Sequence, residues 1–226
     1  MTKSKNDIIK KLLLIYAFIF AYSIGISSEI KGIGPFKINE TTPEQFIKIM
    51  QENKIKEVAS NKSLNTFQYN FKEIKGNVAY ATSCPKAKVY NVSKIVISEI
   101  EVKNLIFTFY ENKLIKIDFD FTDEIENVFL LKYGQPKTKY KTDTTECRHY
   151  YTGNLEKHEK YSKTDNWENV DIILSLSLIS SYDSNCRLKS YHFGMLYDKI
   201  TTGNLYECEK QTDTVPKPTT KNISDF

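Results

Sequence analysis

The chain has 226 residues, with 32 Lys or Arg against 28 Asp or Glu, so its formal net charge is +4. Four of the lysines and one aspartate lie in residues 1–27; the rest of the chain keeps 28 basic and 27 acidic residues, a net charge of +1. Such a balanced chain is not typical of proteins that bind a phosphate backbone, so we expect no nucleic-acid partner.

Residues 1–27 have the three parts of an export signal. Lysines lie at the start, residues 12–26 are mostly apolar, and the small residues Ser27 and Ser28 follow. These 15 residues reach roughly 22 Å as a helix, which is short of a hydrocarbon core about 30 Å thick. We therefore predict a signal peptide over residues 1–27, with an uncleaved N-terminal anchor as the alternative. The membrane would be contacted only transiently, through this segment.

A first helix is predicted at "TTPEQFIKIMQEN". Thr42 can cap it, Pro43 suits the first turn, and Gln45 completes a capping box. The apolar residues at helical spacing are Phe46, Ile49 and Met50.

A second helix is predicted at "TDEIENVFLLKYGQP". Asp123 and Glu126 fit a capping box, Gly134 ends the helix, and Pro136 prevents it from resuming. The two helix openings, Thr42 and Thr122, lie 80 residues apart, and strands follow each of them.

The strands read as antiparallel hairpins. Residues 105–110 and 114–121 flank a turn at Glu111-Asn112-Lys113, and alternation in the second strand predicts an apolar face. That face comprises Ile115, Ile117, Phe119 and Phe121. Gly153-Asn154 predicts a two-residue turn, and Gly203-Asn204 is interpreted as a second use of it.

These elements predict an α+β fold with two helices packed on a predominantly antiparallel sheet. The helix spacing further suggests two tandem α-β-meander units. The domain is expected over residues 28–210, with 28–121 and 122–210 as the halves of a tandem arrangement. Residues 211–226, with Pro216 and Pro218, are predicted to be a flexible tail.

A helix that ends in "KYGQP" and leads into antiparallel strands resembles the small helix-plus-meander domains of bacterial envelope proteins. These are the SmpA/BamE group and the tandem-repeat β-lactamase inhibitor proteins. The resemblance rests on Leu131, Gly134, Pro136 and the strand rhythm that follows, and on residues 46–50 in the first half. It implies a non-catalytic protein that contacts other proteins, and it assigns no functional residue.

The Gly153-Asn154 hairpin suggests a metal site. A two-residue turn there would place His149 opposite His158, about 5 Å apart at Cβ, with Glu156 on the same face as a third ligand. The alternative is an exposed hairpin on which two histidines meet by chance. No resident cofactor is predicted.

Four cysteines in an exported chain, without close pairs, predict two disulfides. If the strands around Cys147 and Ser181 both neighbour residues 155–161, their ends lie at one side of the sheet. Cys186 is then the expected partner of Cys147, which leaves Cys84 for Cys208.

Signatures of catalysis are missing from the sequence. It has no GxSxG, HExxH or phosphate-cradling glycine loop. The acidic residues Asp118, Asp120, Asp123 and Glu124 lack the glycine of a calcium loop, and an outward strand face running into a helix accounts for them.

The most readable candidate for function is an aromatic strand face. In "RLKSYHFGMLYDKI" one face carries Tyr191, Phe193, Met195 and Tyr197. If helices leave that face uncovered, it suits protein recognition. We therefore expect a periplasmic or secreted, non-catalytic module that binds another envelope or extracellular protein. A secreted or periplasmic hydrolase with scattered active-site residues is the alternative, and a metal-binding protein is a third.

Overall fold

The computed structural model describes residues 29–59, 71–75, 80–148, 150–183 and 185–213. The predicted signal peptide lies outside these ranges, as do residues 214–226 of the predicted tail. The small strands are β1 (Gly32–Ile33), β2 (Phe36–Lys37) and β3 (Phe71–Glu73). The long strands are β4 (Ala87–Ile97), β5 (Ile100–Tyr110), β6 (Lys113–Asp120), β7 (Lys137–Arg148), β8 (Leu155–Glu168), β9 (Ile172–Tyr182) and β10 (Leu188–Asp198). The helices are α1 (Pro43–Ala59), α2 (Asp123–Tyr133) and α3 (Lys199–Asp213).

Eight of the strands form one antiparallel sheet in the order β3-β4-β5-β6-β10-β9-β8-β7. Strands β3 to β6 run as one meander, and β7 to β10 run as a second. The meanders join where β6 pairs with β10, from Asp120 opposite Phe193 to Lys116 opposite Tyr197. β1 and β2 form a separate two-stranded sheet.

The predicted fold class is wrong. Strands dominate the described residues, and three helices accompany the sheet where two were expected to pack on it. The third helix, α3, covers Gly203-Asn204, which had been interpreted as a turn. Asp198 starts it, since its Oδ1 accepts a hydrogen bond from the Thr201 N–H at 2.6 Å. This helix also extends to Asp213, three residues into the predicted tail.

Both predicted helices are present, and the first begins at its predicted cap. The Thr42 N–H donates to Gln45 Oε1 at 2.9 Å, and the Gln45 N–H donates to Thr42 Oγ1 at 3.3 Å, which is a complete capping box. α2 is capped by Thr122 instead of Asp123, because Thr122 Oγ1 accepts from the Ile125 N–H. Gly134 ends α2 with a φ of 77°, a conformation that favours glycine.

One apolar core runs under both meanders. The strand registers align a continuous row on one face of the sheet: Tyr90, Phe107, Ile117, Leu196, Leu174 and Trp167. α1 covers one half of that face, where Phe46 contacts Phe107 and Phe109. α2 covers the other half, where Phe129 contacts Phe119 and Trp167. We call this the helix-covered face.

The alternation along β6 predicts Ile115 on that face, but the prediction is wrong for this residue. A bulge shifts the β5–β6 register between Thr108 and Phe109, so the alternation along β6 is interrupted. Ile115 is fully buried, but it packs with Tyr110, Cys84 and Leu205 in a second small cluster. α3 therefore covers the end of the opposite face of the sheet.

The β5–β6 hairpin forms at the predicted place. Tyr110 lies opposite Lys113, and the two residues between them, Glu111 and Asn112, have φ angles of 47° and 68°. Two consecutive positive φ angles are typical of the tight turns that match the twist of paired strands.

Candidate functional site

The sheet has a second face, opposite the two helices α1 and α2. Directly paired residues point to the same side of a sheet. By this rule one row contains Asp118, Met195, Ser175 and Asn166. A second row contains Asp120, Phe193, Ser177 and Thr164, and a third contains Tyr191, Ile179 and Ser162. We call these three rows, together with Tyr197, the open face.

Aromatic and aliphatic side chains are exposed at the centre of the open face. Tyr191 is 57% exposed, Phe193 43% and Ile179 38%. Met195 and Tyr197 are half-buried. The predicted binding residues Tyr191, Phe193, Met195 and Tyr197 thus lie on the side of the sheet that α1 and α2 leave uncovered.

Hydroxyl groups line the open face beside the aromatic strand. Thr164 Oγ1 and Ser177 Oγ lie 3.2 Å apart, within hydrogen-bond distance, across β8 and β9. Ser177 is buried beneath its neighbours at 8% exposure. The hydroxyl pair places uncharged polar groups on the open face, in the same row as Phe193.

The acidic end of the open face comes from β6. Asp118 Oδ1 lies 3.0 Å from Lys116 Nζ, while Asp118 Oδ2 is buried and has no hydrogen-bond partner among the described residues. Burial raises the pKa of Asp118, although the ammonium of Lys116 opposes this. Its neighbour Asp120 is exposed and accepts a hydrogen bond from Asn104 Nδ2 at 2.5 Å.

The predicted hairpin register around the metal site is wrong. Arg148 lies opposite Leu155, so six residues join β7 to β8 in place of a two-residue turn. Consequently His158 lies opposite Thr145 instead of His149. His149 itself lies outside the described residues.

Two of the predicted metal ligands are nevertheless in contact. His158 Nε2 lies 3.2 Å from Glu156 Oε2, and the His158 ring stacks on Tyr182 with 4.4 Å between ring centroids. Cys186 Sγ lies within 4.8 Å of both ligand atoms. That sulfur is oxidised in a disulfide and therefore offers no thiolate. Metal binding at Glu156 and His158 stays a prediction.

The structure contains the two disulfides that the sequence analysis favoured. Cys84 bonds to Cys208 and Cys147 bonds to Cys186. The first ties α3 to the loop before β4, and the second ties the end of β7 to the loop after β9. Two disulfides favour an oxidising compartment outside the cytoplasm.

The most strongly perturbed ionisation lies on the helix-covered face. Lys163 Nζ lies 2.7 Å from Asp165 Oδ2 and 2.8 Å from Glu126 Oε1, joining β8 to α2. Hydrogen bonds to Asp165 and then Glu126 raise the pKa of Lys163 above its usual range. A nucleophilic lysine needs a lowered pKa, so this network indicates structural support for α2.

Two features of the open face were missed in the sequence. The alternation of β9 puts Leu174, Leu176 and Leu178 on one face. The residues between and after them, Ser175, Ser177 and Ile179, must therefore lie on the other face, which is the open face. The unpaired oxygen of Asp118 had no sequence signal, since it depends on burial by neighbouring strands.

Of the helices that the structure describes, none combines the length and the apolar composition that a membrane crossing needs. Comparison of the chain with known protein families, with curated proteins and with solved structures finds no match. The resemblance to the SmpA/BamE group and the β-lactamase inhibitor proteins stays a prediction.

Proposed function

We propose that this chain is a non-catalytic protein-binding module that docks another protein on its open face. One observation carries the proposal: Tyr191, Phe193 and Ile179 are exposed next to one another on a face of the sheet that α1 and α2 do not cover. Aromatic side chains supply much of the binding energy in protein interfaces. Burying such a cluster against a partner is favourable, at about 25 cal/mol for each Å² of apolar surface.

The acids of β6 define what the partner brings to this face. Asp120 is exposed and lies opposite Phe193 in the register. A lysine or arginine on the partner would pair with the carboxylate of Asp120. The proposed partner surface is therefore apolar at its centre with a basic residue at one side.

The alternative of a hydrolase draws less support from the described residues. Among the groups with shifted pKa values, Asp118 and Tyr197 lie on the open face, Lys163 beneath α2, and Asp198 at the start of α3. Burial would raise the pKa of Asp198, but hydrogen bonds from Thr201 and Asn39 outweigh it and lower the pKa. Acid–base catalysis needs such groups to converge on one cleft.

The compartment that we propose is the periplasm or the outside of the cell, where both disulfides would persist. The partner is then another envelope or extracellular protein. This part of the proposal also depends on the predicted signal peptide at residues 1–27.

The test is capture of a partner from envelope extract by the purified, oxidised chain. The double variant Tyr191→Ser and Phe193→Ser is expected to lose the captured protein, because two central apolar contacts are removed. Leu131→Ser is the matched control: Leu131 is 88% exposed on α2, on the other side of the sheet. Equal capture by the double variant and the wild type, with unchanged melting temperatures, would contradict the proposal.

A further inference from the structure

The eight-stranded sheet ends in a long unpaired edge. β7 pairs with β8 on its inner side, and no described strand pairs with its outer side. Nearly all of its 12 residues are exposed. The other edge strand, β3, has only three residues. The outer side of β7 can therefore form a ladder with a further strand, although the Thr144 N–H already donates to Asp143 Oδ1.

Three lysines alternate along the first half of β7. Lys137, Lys139 and Lys141 lie opposite Asn166, Thr164 and Ser162, which places them on the same side as the open face. We call these three residues the lysine ladder. Alternate residues of a strand are roughly 6.6–6.8 Å apart, so the ladder is a row of evenly spaced positive charges.

The lysine ladder has no acidic partner within the part of the chain that the structure describes. None of its members takes part in an ion pair there, whereas the second half of β7 does form such pairs. In that half, Glu146 lies 3.9 Å from Lys157 and Asp143 lies 3.9 Å from Lys160. Lysines on a sheet edge also discourage pairing with uncharged strands. A strand that this edge admits must therefore supply opposite charge.

We propose that β7 is a strand-addition site for an extended acidic segment of a partner protein, with Asp or Glu at alternate positions. The inference rests on the proposed function, because it assumes a protein ligand, but it uses the sheet edge and not the aromatic residues. An extended segment has the same repeat as the lysine ladder, so each acid lies opposite one lysine, about 5 Å away at Cβ. The added strand would also widen the open face by one strand.

The probe is a capped nine-residue peptide in which glutamate and valine alternate. Its control has the same composition with the glutamates in one block, so the charge is equal but the spacing is lost. We expect the alternating peptide to bind the oxidised chain at least tenfold more tightly, measured by fluorescence anisotropy. Each Lys→Gln change in the ladder should weaken binding about threefold, in line with single cross-strand charge pairs.

Two variants make the assignment specific. Lys48→Gln, at an exposed position of α1, should leave peptide affinity unchanged, because α1 packs on β5, which lies in the other half of the sheet from β7. Replacing all three ladder lysines with glutamate should abolish binding of the alternating Glu-Val peptide and confer binding of an alternating Lys-Val peptide. Equal affinity for the alternating and block peptides, or no binding of either, would overturn the proposal.

Polyanions without a peptide backbone distinguish strand addition from simple charge attraction. Heparin or oligothymidylate that binds more tightly than the alternating peptide would also overturn it. Tyr191→Ser with Phe193→Ser should bind the peptide as the wild type does. If the peptide does not bind while partner capture still requires Phe193, only the strand-addition proposal is contradicted. If the peptide binds while partner capture does not require Phe193, only the proposed function is contradicted.

Discussion

Asp118 lies in the middle of β6 with one carboxylate oxygen on Lys116 and the other buried without a donor in the described part of the chain. Because burial raises its pKa, the folded protein binds a proton more tightly at this site than the unfolded chain does. Stability therefore falls as pH rises from the unfolded value of 3.8 through the folded value, and the penalty is complete once the pH exceeds the folded pKa.

Asp118→Asn should raise the free energy of unfolding at pH 7 by about 1 kcal/mol, because a neutral amide costs less to bury than a charged carboxylate does. The gain should disappear near pH 3, where the aspartate is protonated in both states. Urea denaturation at the two pH values measures it. Asp120→Asn is the control, since Asp120 is exposed and should show little effect. A loss of stability at pH 7, or an equal gain at both pH values, would contradict this account.

At the scale of elements, the joint between the two meanders depends on a glycine. Gly194 in β10 lies opposite Phe119 of β6, and a β-carbon at position 194 would overlap the Phe119 ring. The ring fills the space of the missing side chain on the helix-covered face. The close approach of β10 and β6 therefore needs glycine at this position.

Gly194→Ala should lower the free energy of unfolding by about 2 kcal/mol, since overpacking a tight core has this order of cost. Gly203→Ala is the matched control, because a β-carbon there meets nothing within 4 Å. Gly203 lies inside α3, so alanine should stabilise the protein by about 0.5–1 kcal/mol. Urea denaturation of both variants measures the difference, and a Gly194→Ala protein as stable as the wild type would show that the ring moves aside freely.

The elements also show what could be predicted from the sequence. Thr42, Gln45, Thr122 and Gly134 act locally, through caps whose partners lie within four residues, so α1 and α2 were placed correctly. α3 was missed because Gly203-Asn204 is a stronger local signal for a turn than Asp198 is for a cap. Its stability comes from distant residues, through Leu205 in the small cluster and Cys208 in a disulfide.

At the scale of the whole molecule, the cysteine pairs could be predicted but the register of the β7–β8 hairpin could not. Cys147 pairs with Cys186 because the ends of β7 and β9 do lie together, which leaves Cys84 for Cys208. The histidine pairing failed, since one wrong turn length shifts every residue opposite it. No local pattern in the sequence shows that the loop between Arg148 and Leu155 is six residues long.

The two disulfides should contribute unequally to stability. Cys84–Cys208 spans 124 residues and Cys147–Cys186 spans 39. Chain-entropy estimates give roughly 5 and roughly 4 kcal/mol for loops of these lengths. Replacing both cysteines of the longer link with serine should therefore lower the free energy of unfolding by about 1 kcal/mol more than the same change in the shorter link. Urea denaturation compares them, and the opposite order would show that local contacts outweigh loop length.

The open face is the surface on which the proposed function depends. Both meanders contribute to it, through β6 on one side of the joint and through β8, β9 and β10 on the other. A partner docked across it would contact both halves of the sheet at once. Because the open face lies opposite α1 and α2, substitutions on the two sides of the sheet can show which side binds the partner.

The most direct test is the dissociation constant of the captured partner for two single variants, one on each side of the sheet. Phe193→Ser should weaken binding about 30-fold, as expected for a central aromatic contact worth about 2 kcal/mol. Leu131→Ser should change it less than twofold. The reverse pattern, with Leu131→Ser disruptive and Phe193→Ser silent, would place the interface on the helices and contradict the account.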